Sequence, residues 1–253
     1  FHVLTLFTGV FQGPFQHSML ELACRKGLIS ILLTDLRDFT HDAHGTADDY
    51  QFGGGHGMVL KPEPIFEAVE DVLNGYTPDE HSSIPILLLS PQGEKFDQQI
   101  AEEFSQAPAL VLICGHYAGV DERVRQHLVT REISIGDYIL TGGELASMVI
   151  VDAVARLLPG VVGSEESVHG DSLTSGLLQH PIYTRPAEFR DMEVPEILRS
   201  GHHAGIAQWR RRESLRRTLG RRPDLLDAAE LTPADLEFLR SLGYEDAAGP
   251  SET

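Results

Sequence analysis

The chain has 253 residues, 42% of them hydrophobic and 23% charged, with 20 Lys and Arg against 38 Asp and Glu and a formal charge of −18. This mixture excludes a disordered chain, and no apolar run approaches the ~18 residues that a membrane span requires. Two cysteines, Cys24 and Cys114, give no disulfide framework and suit a reducing cytosol, and Phe1-His2-Val3-Leu4 lacks the basic n-region of a secretory signal.

Along the first 160 residues, strands and helices alternate. Residues 3–7, 29–34, 84–90 and 109–114 are short, rich in Ile, Leu and Val, and bounded by Gly, Pro, Asp or Ser. Such runs predict buried strands of a mostly parallel sheet. Between and after them, residues 14–26, 64–73, 97–106, 120–128 and 144–158 read as helices, most of them punctuated by Pro or Asp near the start or Gly near the end. This alternation predicts an α/β domain over 1–160 with helices on both sheet faces. Residues 161–180 hold Gly, Ser and acids without periodicity and read as a linker or lid. Residues 203–219 and 233–241 read as helices of a small all-α C-terminal domain over 181–244, and 245–253 as a frayed tail.

Three loops follow strands of the first domain: Ser90-Pro91-Gln92-Gly93, residues 114–119, and residues 134–144. Ligands of open α/β sheets bind beyond the carboxyl ends of the strands, and small residues let them approach main-chain groups closely. Gly53-Gly54-Gly55-His56-Gly57 lacks the Lys-Ser/Thr of a phosphate loop. It reads as a tight turn with positive φ, with ligand contact through exposed amides as the functional alternative. His41, Asp42 and His44 have a spacing that could hold a metal, but no cysteine or third histidine lies nearby, and no metal ligand is assigned.

The charge is not uniform. Residues 210–222 carry seven arginines against one glutamate, a local +6 that leaves −24 on the rest of the chain. Arginine in such density favours phosphate contact, because its planar fork grips phosphate bidentately and stacks on bases.

Read together, DERV (121–124), SIGDYILTGGE (134–144), YTRP (183–186), EVPEILRSGHH (193–203), WRR (209–211) and RRPDLL (221–226) closely resemble the bacterial tRNA guanosine-37 N1-methyltransferase family. The likeness runs from about Val3 to Tyr244. It implies a SPOUT fold, with the mostly parallel sheet tied into a trefoil knot, and a cytoplasmic homodimer that binds neither DNA nor membrane. By resemblance, S-adenosylmethionine is held by Leu89, Ser90, Pro91 and Gln92, by Gly115 and Tyr117, and by Ser134, Ile135, Gly136, Tyr138, Leu140, Gly142 and Gly143, with magnesium as a second cofactor. Asp171 and Arg156 match the catalytic pair. Asp171 takes the proton of guanine N1 and Arg156 stabilises charge at O6. The anticodon arm of tRNA would meet Arg185, Trp209, Arg210, Arg211, Arg216, Arg217 and Arg221.

The chain departs from the family pattern at His56, His116, Ala118 and Gln179, positions near the expected cofactor. A homologue that binds tRNA without turnover and a SPOUT enzyme for another RNA are the competing readings.

Overall fold

The computed structural model describes residues 1–163 and 171–245; part of the expected linker (164–170) and most of the expected tail (246–253) lie outside the described residues. Contacts divide the chain into two units, Phe1–Glu165 and Glu166–Thr253. The first unit runs β1 (His2–Thr5), α1 (Ser18–Arg25), β2 (Leu32–Asp35), β3 (Asp48–Tyr50), β4 (Met58–Leu60), α2 (Pro62–Leu73) and α3 (Pro78–His81). It continues with β5 (Ile86–Lys95), α4 (Gln98–Phe104), β6 (Val111–Cys114), α5 (Glu122–His127), β7 (Arg131–Ser134) and α6 (Glu144–Ala155).

Five strands form one parallel sheet in the order β2-β1-β6-β5-β7. Its central strand β6 is buried at every position because both faces are covered. Val111 and Ile113 pack with Ile65, Val69 and Val124 from α2 and α5. Leu112 and Cys114 point the other way, among Ala101 and Phe104 of α4 and Ile150 and Val154 of α6. Each such aliphatic side chain contributes about 1.5–3 kcal/mol by leaving water. Because β5, β6 and β7 are parallel, the segments at their carboxyl ends meet at one edge of the sheet.

The helices start where capping chemistry permits. Asp97 accepts a hydrogen bond from the Ile100 N–H (3.0 Å) ahead of α4, and Asp121 accepts one from the Arg123 N–H (2.9 Å) ahead of α5. In α2, Pro62 opens the helix and Ile65, Ala68, Val69 and Val72 form its buried stripe.

Three sequence expectations for this unit need correction. The helix expected over 14–26 is a 3-10 turn, Pro14–Gln16, followed by α1, broken where His17 is extended and Ser18 has φ +61°. Ser90-Pro91-Gln92-Gly93 is not a free loop but part of β5, at an irregularity where pairing with β7 jumps from Leu89 to Glu94. Proline is accommodated there because the ladder is interrupted. The strand β7 was not among the four expected; its charged half, Arg131 and Glu132, hides the apolar signal. The glycine run is a turn with positive φ at Gly53, Gly54, Gly55 and Gly57, as expected, and it closes an antiparallel hairpin, β3–β4.

In the second unit lie β8 (Glu188–Phe189), β9 (Met192–Glu193), α7 (Glu196–Arg199), α8 (His203–Arg221) and α9 (Pro233–Ser241). The small β8–β9 hairpin corrects the expectation of an all-helical domain. Leu177, Leu215, Leu226 and Leu239 form its core, with Leu219, Leu231 and Phe238 packed around them. A capping box at Thr232 and Asp235 starts α9.

Candidate functional site

The carboxyl ends of β5, β6 and β7 enclose a cavity of about 280 Å³. β5 contributes Leu89, Ser90, Pro91 and Gln92, with the Ser90 hydroxyl accepting from the Gln92 N–H at 3.1 Å. The segment after β6 contributes Gly115 and Tyr117, the latter held at φ +58°. The segment ending β7 and leading to α6 contributes Ser134, Ile135, Gly136, Tyr138, Leu140, Gly142 and Gly143. All thirteen residues expected at a cofactor therefore line one cavity.

Glycine is required at several of these places for lack of room. A Cβ on Gly93 would lie 2.4 Å from the Ile133 backbone N, and one on Gly143 would lie 2.8 Å from Cys114 Cα. The Gly143 N–H donates to the Gly115 carbonyl at 2.8 Å, which joins the second and third segments across the cavity. Gly136 passes against the Tyr138 ring, whose hydroxyl donates to the Ile135 carbonyl at 3.1 Å. The walls so formed are mostly apolar, with main-chain polar groups at close range.

His116 and Ala118, expected near the cofactor, and Ile139 of the third loop also line the cavity, whereas sequence reasoning missed Arg125. Arg125 is the charged member and is paired with Glu132 and with Glu122 at 3.6 Å. Its place directly after the DERV motif, on the helix that follows the β6 segment, is the signal that could have revealed it. Among the described residues no aspartate or glutamate lines the cavity. Behind the wall, Glu144 begins α6 in a buried position, where the positive end of the helix favours its carboxylate, and its Oε1 accepts from the Thr5 hydroxyl at 2.7 Å. Burial, together with the nearby Glu144 charge, pushes the Cys114 thiol far above its ordinary range.

The two expected catalytic residues do not line this cavity. Arg156 is half-buried at the carboxyl end of α6, thirteen residues from Gly143 and so roughly 20 Å along the helix axis from the cavity edge. Asp171 is half-buried in the second unit, just ahead of a turn in which the Leu173 N–H donates to the Leu177 carbonyl at 2.8 Å. The His41 and Asp42 pair is otherwise occupied, His41 by Glu67 at 2.8 Å and Asp42 by Thr46 at 2.7 Å. Asp42 is held down to about 2 by its hydrogen bonds from Thr46.

In the second unit, Arg185 and Arg210 line a cleft of about 640 Å³ together with Arg199 and Tyr183. The Trp209 ring lies 6.4 Å from His180 and 6.5 Å from Tyr183. Arg210 and Arg221 are exposed, whereas three of the expected contact arginines make bonds within the unit. Arg211 binds Asp235, Arg216 binds Glu213 and lies over Phe238, and Arg217 donates to the Gln179 carbonyl at 3.2 Å.

The profile of the family described as tRNA (guanine-1)-methyltransferase TrmD matches residues 1–228. A tRNA (guanine-N(1)-)-methyltransferase of Geobacillus kaustophilus is 58% identical over 238 residues, covering 94% of this chain and 96% of the relative. Enzymes of the same name from Dehalococcoides mccartyi and Bacillus cereus are 53% and 52% identical, each covering 96% of this chain and 97% and 98% of the relative. No described helix is long and apolar enough to cross a membrane.

Proposed function

The chain belongs to the tRNA (guanine-1)-methyltransferase family, and from that premise we propose that it transfers a methyl group from S-adenosylmethionine to N1 of guanosine 37 in tRNA, beside the anticodon. The observation that carries this reading is the convergence of three glycine-bearing segments on one cavity at the carboxyl edge of the sheet. Close main-chain approach and apolar walls suit an adenosine and a methionine tail. S-adenosylmethionine supplies an already activated methyl group, so the protein's task is alignment and proton removal.

Asp171 accepts the N1 proton of the guanine, and Arg156 stabilises the negative charge that develops at O6. The target base must leave its stack to reach these groups. Arg185, Trp209, Arg210 and Arg221 hold the anticodon arm, with Arg211, Arg216 and Arg217 shaping the unit that carries them. Among the described residues the cavity wall offers no carboxylate oxygen, the ligand magnesium prefers, and no step is assigned to the ion.

The active protein is a homodimer with a knotted sheet. Support for the dimer comes from Arg156, roughly 20 Å from the cavity of its own chain, and from the exposed apolar side chains Leu145 and Val149 on α6 and Ile139 before it. Support for the knot comes from the Gly142-Gly143 segment, which is fastened to the β6 loop by the Gly143–Gly115 hydrogen bond before α6 begins.

The test is single-turnover methylation of a tRNA transcript bearing guanosine 37, beside one bearing adenosine there. Methyl transfer to the first and none to the second is expected; equal transfer to both rejects the assigned nucleotide.

A further inference from the structure

One buried side-chain polar atom among the described residues has no hydrogen-bond partner, Nδ1 of His116. Such an atom calls for a reason, because unpaired buried donors and acceptors are rare. The imidazole packs against the Phe7 ring at 4.7 Å between centroids and meets the Tyr117 ring edge-on at 4.8 Å. Its Nδ1 faces Oε2 of Glu144 at 3.8 Å, slightly beyond hydrogen-bond reach. The Glu144 side chain is 8% exposed and is anchored through its other oxygen by Thr5.

Gly142 lies in the gap. A Cβ there would stand 2.3 Å from both the Glu144 carboxylate oxygen and the His116 nitrogen. His116 and Gly142 are bridged in antiparallel fashion, and the next residue, Gly143, donates to Gly115. The β6 and β7 segments that wall the cavity are thus joined by backbone, and a side-chain closure stands beside that joint. With a bare Nδ1, two acceptors face each other; with a proton there, the contact becomes an attraction.

We infer that His116 is a positioning residue: with a proton on Nδ1 it closes onto Glu144 around Gly142, fixes residues 115–119 against residues 135–143, and so tightens the cavity on its ligand. This rests on the cofactor reading given above. The charged or titratable neighbours are Glu144 from α6, Tyr117 on the same loop and Cys114 at the end of β6. Beyond the Phe7 ring comes Arg37, 5.6 Å from its centroid, with Asp35 at 3.6 Å from Arg37. The Cys114 thiol is held neutral by burial, and an N–H on Nδ1 of the imidazole, already present in one neutral tautomer, is enough to donate across the gap to Glu144. Closure therefore depends on which ring nitrogen carries the proton, and ligand affinity follows it.

The experiment is calorimetric titration of the full chain with S-adenosylhomocysteine for wild type, His116→Phe and Glu144→Gln. Alongside it, two-bond nitrogen–proton couplings of the ¹⁵N-labelled imidazoles show which nitrogen of His116 carries the proton. The wild type is expected to bind several-fold more tightly than either variant. The proton is expected on Nδ1 in the wild type and on Nε2 in Glu144→Gln. Equal affinity in wild type and His116→Phe overturns the inference, as does an Nδ1 that carries no proton in the wild type. If the wild type binds no S-adenosylhomocysteine, the cofactor reading fails instead, and the couplings still decide whether the clamp exists.

Discussion

Arg211 grips Asp235 with two hydrogen bonds, Nε to Oδ1 at 3.2 Å and Nη2 to Oδ2 at 2.8 Å, and so ties α8 to the first turn of α9. Asp235 is 6% exposed and also receives the Thr232 N–H at 2.9 Å and the Thr232 hydroxyl at 2.8 Å. Burial alone would raise its pKa, but these donors together outweigh that and hold it at about 2. An arginine from the basic run is therefore a structural strut. Arg211→Ala and Asp235→Asn are each expected to destabilise the protein by about 1–3 kcal/mol in urea unfolding.

The same pair sets an acid limit. A carboxylate depressed in the folded state contributes stability that is full above its ordinary pKa of about 3.9 and fades as pH falls towards 2. The gap in melting temperature between wild type and Asp235→Asn is expected to be widest near neutrality and to close on acidification through that window. A gap independent of pH would remove the electrostatic account.

The arginines with no internal partner among the described residues should behave differently. Arg210→Ala and Arg221→Ala are expected to leave the melting temperature unchanged and weaken tRNA binding. Each should lower the salt dependence of the binding constant by about one in the logarithmic slope. Filter binding across a salt series checks this.

Room, not conformation, explains Gly93 in β5 and Gly143 at the cavity. Gly93→Ala drives a methyl into the Ile133 backbone and Gly143→Ala drives one into Cys114 Cα, each costing about 1–3 kcal/mol or more and distorting the cavity. Gly115→Ala meets its neighbours at an ordinary 3.5 Å and is expected to fold as the wild type does. Thermal melts of the three variants distinguish these cases.

If Asp171 is the general base, Asp171→Asn lowers the single-turnover rate by roughly 10²–10⁴-fold and leaves tRNA affinity nearly intact. Wild-type rates in that variant would falsify the assignment.

Thiol chemistry offers a direct test of burial. Cys114 is fully enclosed between β6 and α6, and Cys24 on α1 is partly exposed. Iodoacetamide at neutral pH is expected to label Cys24 first, with Cys114 reacting only on unfolding.

Much of the first unit was readable because its strands are buried on both faces. Runs such as Val111–Cys114 are uniformly apolar, and Asp97 and Asp121 mark helix starts by capping chemistry, as Thr232 does in the second unit. The strand β7 escaped because its edge position lets Arg131 pair with Glu94 and Glu103, which gives it half-polar composition. His116, Glu144 and Gly142 were not legible as a group, since they meet only where two segments from different strands are zipped together.

Length, composition and charge therefore determined an α/β body of net negative charge, a basic run near its end, and the three segments that line the cavity. Local patterning reaches that far, because it reads burial, capping and charge one segment at a time. The tertiary structure alone decided which arginines of the run are free. Arg210 and Arg221 face solvent, whereas Arg211 and Arg217 bond to groups brought close by folding, and Arg216 pairs with Glu213 one turn away on its own helix. The opening charge of −18 conceals both levels: it averages a +6 segment into an acidic chain, and that +6 itself overstates what remains for a phosphate to meet.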